Sequence, residues 1–448
     1  MDKAKRYAAY LLVIAGCGGL LFDFGGTIIG PALPYIGPAD EYPGSLGLFT
    51  TAQISHLSSA VVMCAALSCL AAGWLADRFG RKPMMLVSAA IAALACVPIC
   101  LAEGNYAMFF LGRAMQGAAA GFLGVVVPMY LAECLDADKR GMGAGMFQLL
   151  DFVGILFCSI VGLAVVHFIG AADDSAVSAA RKSLAWKTIF WSSAAPALLF
   201  FFGALGLKES PRWLAGRGQG KTRDDAPTAE ARDPLLQRKY VLPFCISLAV
   251  LVCNQAIGFN AIQYFSIPMF MKAGLSQTAA NAANFCVWLV PIPVTAVALW
   301  LVDRRGRKTL LKIGTSGMTI ALAGVACVFL ALETERMSGG TFAGWSTVAG
   351  IALFVASFSI GPGVVVWLAL SELMPGRIRA NGMAIALFVN QMVAFAIADL
   401  FLPWQKACGY ATVFFCLAVF AFLYFLVAAL LLPETKGRTL EEIEELWK

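Results

Sequence analysis

Two charged residues sit inside apolar runs of this chain: Asp23 in "LLFDFGGTIIG" and Arg113 in "FFLGRAMQG". A charge in hydrocarbon is costly and marks function by default, and pairing with an opposite charge is the expected remedy. A neighbouring arginine favours the ionised carboxyl, whereas desolvation disfavours it. If a cavity opening and closing changes those terms, Asp23 takes up a proton on one side and releases it on the other. Asp23 and Arg113 therefore read as a proton-coupling pair, with a static structural ion pair as the alternative.

The other polar residues in apolar runs are amides, an acid and a phenol. "CNQAIGFNAIQYF" holds Asn254, Gln255, Asn260 and Tyr264. On an unbroken helix their spacing gives a fairly narrow polar stripe, and Gly258 lies among them where the backbone can relax. An amide offers both donor and acceptor to a hydroxyl, which suits a hydroxylated cargo; helix–helix hydrogen bonding is the structural alternative. "FQLLDFVGIL" holds Gln148 and, one turn on and on the same face, Asp151. Asp151 could grip two adjacent hydroxyls, recognise a cationic cargo, or pair with Arg113. "GPGVVVW" places Gly361, Pro362 and Gly363 before Trp367, where a helix must break.

The elements that position these residues are membrane helices. Of 448 residues, 60% are hydrophobic and 13% charged, against about 25% charged in soluble domains. Apolar runs of at least 18 residues, enough to cross the bilayer core, recur at 8–30, 52–75, 84–102, 107–133, 142–169, 185–207, 241–271, 279–302, 310–332, 345–372, 382–403 and 410–432. The expected fold is an all-α membrane protein of twelve transmembrane helices in two six-helix bundles, with short cytoplasmic helices. The units are 1–207, a cytoplasmic linker 208–239, 240–432 and a cytoplasmic tail 433–448. Lys and Arg concentrate in the loops on the side of the N-terminus, which places both termini in the cytoplasm. That asymmetry accounts for the formal charge of +6 without a nucleic-acid partner.

The two halves repeat. "GWLADRFGRKP" (73–83) is matched by "LWLVDRRGRKT" (299–309), with Asp77, Arg78 and Arg81 answering to Asp303, Arg304 and Arg307. Glu133 stands seven before Arg140, and Glu372 seven before Arg379. "LKESPRW", with Glu209 and Arg212, is echoed by "LPETKGR", with Glu434. Arginine forks bind carboxylates bidentately, so these residues are expected to form a salt-bridge layer that fastens the two bundles and breaks on opening. A topology signal alone would not need the glycine or the aspartate twice. Thirteen cysteines and two histidines show no metal-ligand spacing. No metal, no cofactor and no phosphate-binding loop is expected, and no catalytic set marks an enzyme.

D-R-x-G-R twice, E-x6-R twice, E-S-P-R-W-L, N-Q-x-x-G-x-N-x-x-x-Y, G-P-G-x-x-x-W-x-x-x-S-E and P-E-T-K-G together resemble the sugar porter family of the major facilitator superfamily. The resemblance covers nearly the whole chain. It implies sugar contacts at Gln148, Gln255 and Asn260, ring stacking on Trp367, a polar contact at Asn390, and proton coupling through Asp23 with Arg113. Some positions depart from it: Gln391 replaces an aromatic, Pro291 an asparagine and Ser193 a glutamate helper, and Asp151 is an acid with no family counterpart. The expected activity is proton-coupled import of a monosaccharide or polyol by a monomer in the inner (plasma) membrane, with a uniporter as the alternative. A sugar sensor is disfavoured by the short segment after the last span.

Overall fold

The computed structural model describes residues 3–135, 140–218, 237–374, 378–434 and 442. The side chains of Arg140, Asp303, Trp367, Glu372 and Arg379, expected site residues, lie outside the described residues.

Among the described residues, eleven helical segments are long and apolar enough to cross a membrane. They are Ala9–Ile36, Thr51–Phe79, Arg81–Leu101, Tyr106–Cys134, Gly145–Phe168, Ala179–Leu205, Arg238–Lys272, Gln277–Val302, Arg307–Glu333, Thr341–Val366 and Gly382–Leu431. The last has 50 residues. Straight, it would run about 75 Å, more than twice the bilayer core of about 30 Å. It is not straight: Gly409, at φ 81 and ψ 162, breaks the helix after Pro403. It therefore supplies the eleventh and twelfth crossings, and all twelve expected spans are present. Large apolar side chains such as Leu67, Phe202, Ile320 and Leu430 point outward, as a lipid-facing surface requires.

Two spans break where the sequence expects it. The seventh divides into helices Arg238–Ala256 and Phe259–Lys272 around Gly258, whose φ of 78 is left-handed. The tenth divides at Gly361 into Thr341–Ile360 and Pro362–Leu373. The first also ends a helix early: Lys3–Thr27 stops, and Ile29–Ile36 resumes.

The repeated charged turns now have a structural reason. Gly80 and Gly306, at φ 104 and 89, turn the chain between spans two and three and between eight and nine. Glu209 then accepts from the main-chain N–H groups of Arg81 and Lys82 at 3.1 and 3.2 Å. Glu434 accepts in the same way from Arg307 and Lys308 at 2.9 and 3.2 Å. Each carboxylate caps the positive end of a helix. A side chain at either glycine would strike the capping carboxylate, 2.4 Å from Glu209 and 2.5 Å from Glu434. The glycine and the distant glutamate are one device, built twice.

On the face opposite these turns the halves meet through polar contacts. Gln277, Asn281 and Asn284 line one side of the eighth span, three to four residues apart, and face the fifth span. Gln277 Oε1 accepts from the Ala172 N–H at 2.6 Å, and Asn284 Nδ2 donates to Ser159 at 3.0 Å. A Cβ at Gly162 would lie 2.8 Å from Asn281 Oδ1. Asp399 of the eleventh span receives Ser59 at 2.7 Å and pairs with His56 at 2.8 Å, both on the second span.

Candidate functional site

The first span ends its first helix in "DFGGT", and this end holds the charged centre. A helix leaves its last carbonyls without main-chain partners and carries partial negative charge there. Arg113, fully buried on the fourth span, fills that need. It donates to the carbonyls of Gly25 and Gly26, the latter at 3.2 Å, to the Leu57 carbonyl at 3.0 Å and to Gln116 Oε1 at 2.7 Å. No ion pair joins it to Asp23 within 4.0 Å. The expected direct pairing is thus corrected: the guanidinium binds the backbone two and three residues beyond Asp23, with four of its five N–H groups on carbonyl and amide oxygens.

Asp23 is half-buried in the last turn of that helix. Gln263 of the seventh span faces it and donates to Thr27 at 2.5 Å. Tyr264, also buried, places its hydroxyl where a Cβ at Gly26 would be, 2.6 Å away, and its carbonyl 2.8 Å from a Cβ at Gly30. The glycines of the first span let the seventh approach, so the two halves touch beside Asp23.

Asp151 is 5% exposed. Its Oδ2 accepts from Gln148 Nε2 at 3.0 Å, and its Oδ1 has no hydrogen-bond partner. It interacts electrostatically with Asp23, and it makes no ion pair with Arg113. First and fifth spans approach closely at two glycines: a Cβ at Gly19 would lie 2.2 Å from the Phe147 carbonyl, and one at Gly154 2.3 Å from that of Leu20.

Of the expected amides, Asn390 is buried and donates to the Leu251 carbonyl at 2.8 Å, while Gln255 donates to Asn390 at 3.4 Å. Asn254 is buried with Oδ1 unpartnered. Gln148, Gln255 and Asn260 are half-buried. The break at Gly258 separates Asn254 and Gln255 from Asn260 and Tyr264, so they do not form one continuous stripe. Ser193, where a glutamate helper was missing, bonds its own helix at the Phe190 carbonyl, 2.7 Å.

Sequence reasoning missed Gln263, Asn284 and Asp399. Each is a polar residue in an apolar run, the same signal that singled out Asn254 and Asp23.

Among the described side chains, Arg81, Glu133 and Asp77 make contacts within one half. Arg81 grips Glu133 with two bonds, at 2.9 and 2.8 Å, and meets Asp77 at 3.0 Å; Ser210 adds a 2.5 Å bond to Glu133. Arg78 and Arg304 are exposed and stack over Trp74 and Trp300, at 5.3 and 3.8 Å. Arg212 is exposed. These contacts, like the Glu209 and Glu434 caps, join parts of one half, because each carboxylate lies beside the helix ends of its own bundle.

A family model described as sugar (and other) transporter matches residues 11–447. The chain belongs to this family. Among similar proteins, the major myo-inositol transporter IolT of Bacillus subtilis (strain 168) is 29% identical over 475 residues, covering 99% of this chain and 96% of that one. The arabinose-proton symporter of the same organism is 28% identical over 461 residues, covering 97% and 93%. A crystal structure of a D-xylose-proton symporter shares the fold with a TM-score of 0.79 at 23% identity, covering 97% of this chain and all of that one. This sugar transporter is a multi-pass membrane protein of the major facilitator fold, with two six-helix bundles, and its relatives are transporters rather than enzymes.

Proposed function

We propose that this sugar transporter imports a monosaccharide or related polyol together with a proton, by alternating access of its two halves. It does so in the inner (plasma) membrane, as a monomer, with both termini in the cytoplasm. The halves are 1–207 and 240–432, joined by 208–239, with a tail at 433–448. Cargo contacts fall to Gln148, Asp151, Asn254, Gln255, Asn260, Tyr264, Trp367 and Asn390, and proton coupling to Asp23 with Arg113.

One observation carries the coupling. Asp23 sits in the last helical turn of the first span, where Gln263 of the other half faces it and Tyr264 lies against Gly26 and Gly30 beside it. A rocking motion of one half against the other withdraws those groups and changes the solvation of the carboxyl. Arg113 acts through the helix end it caps: shifting the Gly25 and Gly26 carbonyls alters the field at Asp23. The relatives that carry myo-inositol and arabinose support a small polyhydroxylated cargo.

The test is uptake of radiolabelled L-arabinose and myo-inositol into proteoliposomes, with and without an inward proton gradient. The wild type is expected to accumulate one of them only with the gradient. Asp23→Asn is expected to lose accumulation and keep exchange. Accumulation unchanged in Asp23→Asn overturns the coupling role, and gradient-independent equilibration by the wild type identifies a uniporter.

A further inference from the structure

Asp399 of the eleventh span collects three groups of the second span, which belongs to the other half. Ser59 Oγ donates to its Oδ1 at 2.7 Å, Ser55 Oγ donates to its main-chain carbonyl, and His56 Nδ1 lies 2.8 Å from the same Oδ1. Ser55 and Ser59 are buried, while the Asp399 side chain is 19% exposed and that of His56 54%. The carboxylate is thus held in the seam, and the imidazole meets it from the exposed side. The chain has two histidines, and the other, His167, packs edge-on against Phe168. Histidine is the side chain whose charge ordinarily changes between about pH 5 and 8. A protonated imidazole makes this contact a charge-assisted hydrogen bond, stronger than the neutral one. The charged and titratable groups beside it are Tyr106 at the start of the fourth span, which interacts with Asp399, and Lys406, which reaches Asp40, Glu41 and Thr51. In the loop before Tyr106, Glu103 pairs with Lys187 at 3.2 Å. Those carboxylates answer lysines, and Asp399 is the one that answers the imidazole.

We propose that His56 and Asp399 form a pH-responsive latch: a protonated His56 holds the two halves closed on this face, and its deprotonation frees them to part there. The latch rests on the alternating-access reading, and on the proposed orientation this face is the outer one. Acid outside the cell then favours the state closed to the outside, and a neutral exterior favours the state open to it. The latch is separate from Asp23, which makes no hydrogen bond or ion pair with either residue. Because the imidazole is half-exposed, its pairing shifts the closed-to-open ratio by about two- to fivefold. That is a bias on the cycle rather than a block.

The experiment is alkylation of Ser159→Cys in the purified full-length protein, at about pH 5 and about pH 8. Ser159 is buried at the seam and bonded across it to Asn284. The labelled peptide is quantified by mass spectrometry, so the native cysteines do not interfere. The rate is compared between this parent and the same protein carrying His56→Gln at each pH, a ratio that cancels the thiol's own response to pH and any response of Asp23. His56→Gln is expected to label about two- to fivefold faster than its parent at the acid pH. At the alkaline pH the two are expected to label alike, because glutamine and neutral imidazole both donate an ordinary hydrogen bond. With Asp399→Asn also present, the ratio is expected to be the same at both pH values. His56→Lys, which keeps its charge, is expected to label more slowly than His56→Gln by a similar factor at both. A ratio of parent to His56→Gln that does not change with pH, or that changes as much with Asp399→Asn present, overturns the proposal. Equal rates for His56→Lys and His56→Gln overturn it even where Asp399→Asn fails to fold. A Ser159→Cys thiol that labels under no condition overturns the latch together with alternating access, whereas a flat ratio with labelling intact overturns the latch alone.

Discussion

Asn284 of the eighth span and Ser159 of the fifth are 3.0 Å apart, and they belong to opposite halves of the transporter. The Asn284 oxygen also accepts from Ser266 at 2.7 Å and from the Trp288 indole at 3.0 Å. All four residues are buried, so one amide serves two neighbours in its own half and one across the seam. Asn284→Leu leaves those three without it, each at about 1–3 kcal/mol. The closed seam is expected to loosen, with a lower melting temperature in detergent and faster alkylation of a cysteine introduced at Ser159. An unchanged labelling rate would show that the seam does not depend on this amide.

Glu133 and Arg81 form a bidentate pair with side chains only 12% and 8% exposed. Removing one member of a buried pair strands the other at about 3–5 kcal/mol, whereas replacing both with apolar residues is often neutral. Glu133→Leu should therefore lower the melting temperature strongly, and Glu133→Leu with Arg81→Met should recover most of the loss. Ser210 and Asp77 also contact the pair, so recovery should be incomplete. A double variant as unstable as the single one would refute this account.

Gly30 lets the backbone of the seventh span lie against the first. A Cβ there would stand 2.8 Å from the Tyr264 carbonyl, a main-chain atom that no side-chain rotation can move aside. Gly30→Ala should disfavour this arrangement by at least about 1.4 kcal/mol, tenfold in population, and cut uptake accordingly. Gly26→Ala meets only the Tyr264 side chain, its hydroxyl at 2.6 Å and ring carbons at 3.0 and 3.1 Å, so adding Tyr264→Ala should relieve the clash in Gly26→Ala and not in Gly30→Ala. Equal behaviour of the two glycines would show that the close approach is not what they serve.

Lys406 reaches Asp40 and Glu41 across the halves at 3.3 and 3.2 Å, but it is 54% exposed. Exposed pairs contribute about 0–1 kcal/mol and weaken with salt. Asp399 is 19% exposed and collects Ser59 and His56. Lys406→Ala should change uptake less than twofold, while Asp399→Ala should change it several-fold. The reverse order would show that the exposed pairs hold that face.

The spans, the breaks at Gly258 and Gly361, and the internal repeat were legible because each rests on local chemistry: apolar length, glycine conformation, proline geometry. The partners of Arg113 were not. Nothing in "FFLGRAMQG" says that the first span will end its helix at Thr27 and present bare carbonyls to the guanidinium. The same limit applied to Glu133: it was expected in a salt-bridge layer fastening the two bundles, and the fold brings it to Arg81 of its own half. Asn284 and Asp399 carried the right signal, a polar residue in an apolar run, but their value lies in the partner that faces them.

The seam at Gln277, Asn281 and Asn284 is made of amides rather than apolar side chains. When the halves part, Gln277 and Asn284 exchange their partners across the seam, the Ala172 N–H and Ser159, for water and lose little. A leucine seam would expose apolar surface instead, at about 25 cal/mol for every Å² wetted. A machine that must come apart and rejoin in every cycle is better served by a joint that is nearly indifferent to being wet, and this chain has placed such a joint where its two halves separate.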